Sequence, residues 1–269
     1  MIMRGIVKTA VLTLLLALLA QPCSAQSDLY LIALMGQSNM AGRGEVSELP
    51  PDFPKNPTKI WTFTNAYKWE PAREPVDSPE GQVDTISQDR SGGVGPSLAL
   101  ADAFVSRYPS TSVGLIPCAR GATRIGMWLK TDTDRPRDTL FGSCVNRIKT
   151  VSPANGTLRA VLFWQGGSDA IREETAVTWK ERFTTFVADL RRDLGNPDLP
   201  VIMIMLGKKM IPHKFAYWEI VREQQRAVNI PGVIKIEADG FERREDGIHF
   251  TTKSQLEFGA VLAGLLPAP

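Results

Sequence analysis

Leu29-Tyr30-Leu31-Ile32-Ala33-Leu34-Met35, followed at once by Gly36-Gln37-Ser38-Asn39-Met40, decides how the rest of the chain is read. Seven apolar residues without polar alternation fit a strand covered on both faces, as in a parallel sheet. A glycine-led turn directly after such a strand delivers Ser38 to its carboxyl end, where open α/β sheets do their chemistry. Strand-like apolar runs recur at 112–116, 158–164, 201–206 and 233–237. Helical spacing is predicted over 96–108, over 175–194 with Gly195 as a stop, over 214–228 and over 253–265. This alternation predicts an α/β fold: a three-layer α/β/α sandwich around a central parallel sheet of about five strands, with right-handed crossovers.

The first residues carry a different signal. Arg4 and Lys8 precede an apolar run over 10–20, and Cys23-Ser24-Ala25 then offers the small residues a signal peptidase reads. The run is short for a membrane span, and Pro22 directly before Cys23 fits poorly with lipoprotein attachment. Residues 1–25 are therefore expected to be a signal peptide cleaved after Ala25. Residues 26–269 form a single domain, secreted or periplasmic, with no stable membrane anchor. The chain has 31 basic and 29 acidic side chains, and two of the cations lie in the leader, so the remainder is formally neutral. That gives no electrostatic case for nucleic acid or an anionic membrane as partner. Oligomeric state is not readable. Cys118 and Cys144 remain after cleavage, and an oxidising compartment permits a bridge between them. The competing reading is a pair of small buried apolar side chains that never meet.

Chemistry is narrowed by scarcity. The chain has two histidines, His213 and His249, and only His249 has an acid placed to orient its ring, in Asp246-Gly247-Ile248-His249. With Ser38 as nucleophile the set reads as a serine hydrolase in chain order Ser, Asp, His. Two distant histidines offer no metal-ligand cluster, and no cofactor is implied. Other loops also fall after strands: Arg120-Gly121-Ala122-Thr123 after the second, Gln165-Gly166-Gly167-Ser168-Asp169 after the third. Asp169 reads as a cap for the following helix. The stretch 42–95, with prolines at 50, 51, 54, 57, 71, 75 and 79 and with Trp61, Tyr67 and Trp69, reads as a long loop over the site, either a substrate wall or surface padding.

Four blocks now stand in order: Gly36-Gln37-Ser38-Asn39-Met40, 114–123 ending in Arg120-Gly121-Ala122-Thr123, Gln165-Gly166-Gly167-Ser168-Asp169, and Asp246-Gly247-Ile248-His249-Phe250. Their order and spacing resemble the sialate O-acetylesterase-like domain, carbohydrate esterase family 6, within the SGNH hydrolases. The resemblance covers nearly the whole chain after the leader. It implies a flavodoxin-like hydrolase that removes acetyl groups from sugars, with acetylated xylan and O-acetylated sialic acid as substrate types. It also implies Ser38, Asp246 and His249 as catalytic residues, and an oxyanion hole from the backbone N–H groups of Ser38 and Gly121 with Gln165 as a further donor. Asn39, Arg124 and Trp69 are the candidate substrate contacts.

The chain departs from the family pattern at two places. The third block usually reads Gln-Gly-Glu-Ser-Asp, and Gly167 takes the glutamate position; the second usually reads Gly-Gly-Thr, and Ala122 takes the second glycine. The missing carboxylate keeps a second reading open, a carbohydrate-binding relative with weakened turnover. The polar, Trp-containing loop argues against a lipase or thioesterase, which needs a broad apolar cleft.

Overall fold

The opening apolar run becomes β1 (Leu29–Gly36), buried at every position. The structure is a computed structural model that describes residues 28–210 and 215–269; the leader and His213 lie outside the described residues. Six more strands follow: β2 (Ile60–Phe63), β3 (Trp69–Pro71), β4 (Val113–Pro117), β5 (Gly156–Trp164), β6 (Val201–Met205) and β7 (Val233–Glu237). They form one sheet in the order β3-β2-β4-β1-β5-β6-β7. Every neighbouring pair is parallel except β2 with β3. All five predicted strands are present. The chain builds to one side of β1 with β4 and then to the other with β5, so β1 lies at the topological switch point where such sheets bind ligands.

The helices are α1 (Ser38–Ala41), α2 (Ser97–Arg107), α3 (Leu140–Val151), α4 (Glu173–Val177), α5 (Trp179–Leu194), α6 (Trp218–Arg226) and α7 (Thr252–Ala263). The period-two geometry of β1 divides its side chains between two cores. Leu29, Leu31, Ala33 and Met35 join Cys144 and Ile148 of α3, Phe183 and Phe186 of α5 and Val221 of α6. Tyr30, Ile32 and Leu34 join Leu98 and Phe104 of α2 and Phe258 and Leu262 of α7. Helices thus cover both faces, as the α/β/α reading expects. A disulfide links Cys118, just after β4, to Cys144 on α3, with Cα atoms 5.5 Å apart.

The differences from expectation have physical reasons. The sheet has seven strands because the proline-rich stretch 42–95 is not all loop: it supplies β2, which extends the parallel sheet beside β4, and β3, which closes that edge. The strand 233–237 is not covered on both faces. As β7 it is the opposite edge, with Lys235 and Glu237 exposed, and charges on an edge discourage pairing with other chains. The helix expected over 175–194 begins earlier and breaks at Thr178 into α4 and α5, although Gly195 closes it in the left-handed conformation as read (φ 66°). Helix α3 was not anticipated.

Candidate active site

Ser38 is the first residue of α1, on a turn sewn to the ends of both neighbouring strands. Gln37 N–H donates to Trp164 O at the end of β5 (2.8 Å), and Arg120 N–H after β4 donates to Gly36 O (2.9 Å). Gly36 itself holds φ at 130°, and a Cβ there would lie 2.3 Å from Trp164 O, so only glycine allows the chain to leave the strand this way. The hydroxyl of Ser38, a residue 6% exposed, lies 2.8 Å from His249 Nε2. His249 Nδ1 lies 2.6 Å from Asp246 Oδ2. The other carboxylate oxygen of Asp246 accepts from the Ile248 and His249 amides at 2.8 and 2.9 Å, which makes the Asp-x-x-His segment a self-holding turn. Burial pushes the Asp246 carboxyl up, but these amides and the His249 ring outweigh it and hold it below the usual carboxylate range.

Two side chains fasten this loop to the serine turn. Asn39 Nδ2 donates to Ile248 O (3.2 Å), and Phe250 N–H donates to Asn39 Oδ1 (3.4 Å). Phe250 packs on Trp164 with ring centroids 5.1 Å apart. Asn39 is 6% exposed, and its side-chain amide both donates to and accepts from the histidine loop.

Gln165 also differs from expectation. Its Nε2 donates to Thr123 O (2.8 Å) and Asp169 Oδ2 (2.5 Å), and its Oε1 accepts from Trp179 Nε1 (2.9 Å). Both amide hydrogens are engaged in a fully buried brace, which leaves none for an oxyanion. Asp169 does not cap its own helix; its carboxylate crosses to the Ile125 amide, 3.1 Å from each oxygen, and burial pushes the carboxyl up to about 6. The third block therefore holds the second block in place.

The cavity over Ser38 measures about 550 Å³, within the usual range for small-ligand sites. Ser38, His249, Gly121 and Gly167 line it, together with Arg43, Asp89, Arg90, Arg120, Ile171 and Phe215. Part of the 42–95 stretch is thus a wall of the site. The Gly121 N–H donates to Asp89 Oδ2 at 2.6 Å, and Arg43 pairs with the same oxygen at 2.6 Å. A Cβ at 121 would lie 2.6 Å from Arg43 Nη2 and 2.8 Å from Asp89 Oδ2, so a side chain there would push the ends of both aside. Burial pushes the Asp89 carboxyl up, and the Arg43 contact reverses this and holds it low. Sequence reasoning missed Arg43, Asp89, Arg90, Arg120, Ile171 and Phe215, and of these only Arg120, adjoining Gly121 in the second block, had a local signal.

Two expected contacts lie elsewhere. Arg124 is exposed and is not part of this cavity's lining. Trp69 belongs to β3, where its ring packs on Phe63 (centroids 5.4 Å apart) and over Gly114, so it is part of the sheet edge. Gly167 does not have a positive φ; the left-handed glycine of that loop is Gly166, at 138°. Ala122, in the family's glycine position, holds φ at 59°, a conformation glycine adopts more freely. Among the described residues, no group of three or more His, Cys, Asp or Glu is placed to hold a metal ion, and no helix is long and apolar enough to cross a membrane.

The doubly wound α/β/α sandwich thus brings serine and histidine together over the strand ends. Residues 26–266 match the family described as carbohydrate esterase, sialic acid-specific acetylesterase, and the chain belongs to that family. It is 32% identical over 244 residues to a probable carbohydrate esterase of Arabidopsis thaliana, covering 86% of this chain and 87% of that protein. The solved structure of that Arabidopsis protein is similar with a TM-score of 0.76 at 28% identity, over 88% of this chain and 97% of its own. NanS shares the fold with a TM-score of 0.67 at 17% identity, over 90% and 97% of the two chains. A carbohydrate acetylesterase from Xanthomonas citri shares it at 0.61 and 17%, over 88% of this chain and 55% of that one.

Proposed function

We propose that this chain is an exported serine esterase that removes O-acetyl groups from carbohydrates through an acyl-enzyme on Ser38. The observation that carries the reading is the continuous relay from Asp246 Oδ2 through the His249 ring to Ser38 Oγ, with steps of 2.6 and 2.8 Å. Ser38 Oγ bonds to the acetyl carbonyl carbon while His249 Nε2 takes the hydroxyl proton. Asp246 keeps the other ring nitrogen protonated and stabilises the imidazolium that forms. Collapse breaks the bond to the sugar oxygen, which receives that proton from His249. Water then attacks the acetyl-serine with the same base, releasing acetate and restoring Ser38.

The carbonyl oxygen gains charge in both steps and needs fixed donors. Ser38 N–H, at the start of a helix where amides have no intrahelical partner, and Gly121 N–H fill that role. Gln165 acts through its brace on Thr123 and Asp169. The family and the arginines that line the cavity support an acetylated sugar as substrate. The acetylxylan and O-acetylated sialic acid types are the two to compare. A glycan-binding relative with weakened turnover is favoured by Gly167 alone. Acetate release from acetylated xylan oligomers, O-acetylated sialic acids, an aryl acetate and a longer acyl ester tests the choice. Turnover of at least one acetylated sugar above the longer ester is expected; glycan binding without acetate release favours the weakened relative.

A further inference from the structure

The amide assigned to the oxyanion is already occupied. A backbone N–H has one hydrogen, and that of Gly121 is directed at Asp89 Oδ2, 2.6 Å away, about the separation an oxyanion would take. Arg43 Nη2 donates to the same oxygen at 2.6 Å, and Ser91 N–H holds the other carboxylate oxygen at 3.0 Å. The Arg43 and Asp89 side chains are 13% and 9% exposed, yet both line the cavity with Ser38 and His249. A fixed anion therefore stands where negative charge must develop, and two negative charges cannot share one donor without repulsion.

We propose that Asp89 is an internal competitor for the oxyanion site, a carboxylate cap that the ester carbonyl must displace from Gly121 and that thereby selects which esters are turned over. The proposal rests on the Ser38 esterase reading. A small ester brings little more than its carbonyl to the exchange. An ester on an extended sugar gains contacts along the cavity walls, and that binding energy drives the displacement. Arg43 gives the displaced carboxylate a partner: its Nη1 is anchored on Gly42 O at 2.6 Å while Nη2 carries Asp89, so the swing leaves no bare charge in the cavity.

The test compares wild type, Asp89→Ala, Asp89→Asn and Ser38→Ala in two measurements. One is the rate at which diethyl 4-nitrophenyl phosphate labels Ser38, located by peptide mass; the other is kcat and KM for an aryl acetate. Asp89→Ala is expected to label faster by on the order of tenfold, part of what one oxyanion donor is worth. Its KM for the aryl acetate falls while kcat holds or rises. Asp89→Asn lies between, because a neutral amide oxygen accepts from Gly121 more weakly. A merely structural Asp89 would instead lower kcat and slow the labelling. That result, or equal labelling in wild type and variants, overturns the cap and leaves the esterase reading standing. Absence of label on Ser38 in every folded protein defeats the esterase reading and the cap with it. Melting transitions establish that the variants are folded, and Asp89→Asn carries the comparison if Asp89→Ala does not fold.

Discussion

Asp246 lies in a turn that favours its charged form, and this gives the pH behaviour of the site a sign. Its carboxyl is held below the usual range by the Ile248 and His249 amides and the His249 ring. The stability it contributes is present above the ordinary carboxylate range and is lost as pH falls through its lowered value. Across pH 5 to 9 Asp246 therefore remains ionised and keeps its hold on the His249 ring. Gly167 is the second residue with a separable consequence. Its backbone is free of positive φ, and a Cβ would lie 3.0 Å from the Gln37 amide tip and in ordinary contact with the Trp218 ring at 3.5 Å, so a side chain fits with a small shift of Gln37. Gly167→Glu is expected to change kcat/KM on acetylated sugars more than on an aryl acetate, because a carboxylate there faces sugar hydroxyls. Equal changes on both substrates, with the melting temperature preserved, place position 167 in the chemical step instead.

The loops that form the site hold one another through buried polar side chains, and Asp169 is the member whose removal can be read. Burial pushes its carboxyl up to about 6, so the folded chain holds this proton to higher pH than the unfolded chain does. The stability tied to that neutral form is full below the ordinary aspartate range and is lost as pH rises through about 6. From pH 5 to 8 the loss is on the order of 1 kcal/mol. Asp169→Asn is expected to unfold in urea with less change of stability over that interval than wild type; an identical dependence shows that Asp169 does not carry it. Why some of this was legible follows from distance along the chain. Asp246 and His249 are three residues apart, and Ser38 follows its own strand, so a local pattern finds them. Asp89 reaches Gly121 and Gln165 reaches Thr123 across long stretches of sequence, and neither contact leaves a periodic trace. Elements show the same contrast. The long apolar runs gave five strands, whereas β2 and β3 are four and three residues long within a proline-rich stretch. In α3 the apolar positions 140, 141, 144, 145, 148 and 151 have helical spacing, but Gly142, Ser143 and Thr150 dilute its propensity.

Over the whole molecule, a sheet clamped between two helical layers holds the strand ends still, and the site is assembled from loops that leave them. The Cys118–Cys144 bridge ties β4, whose exit carries Gly121, to α3 on one face. In the chain-entropy description closing this loop stabilises the fold by about 3 kcal/mol, so reduction is expected to lower the midpoint of urea unfolding by that equivalent. Thiol titration of the denatured, nonreduced protein is expected to find no free thiol at Cys118 or Cys144, and free thiols at both contradict the bridge. The sandwich and its switch point were readable because parallel strands covered on both faces need continuous apolar sequence. The extra edge strands and the cavity wall were not, because surface elements are stabilised by contacts that no local pattern records. The central claim is that Ser38 is the nucleophile of an acetylesterase acting on sugars. Its most direct test is acetate release from an O-acetylated oligosaccharide by wild type and Ser38→Ala, measured side by side on proteins with matching melting transitions. Release by wild type and a loss of about a thousandfold or more in the variant is the predicted result; acetate release by Ser38→Ala at the wild-type rate would contradict it.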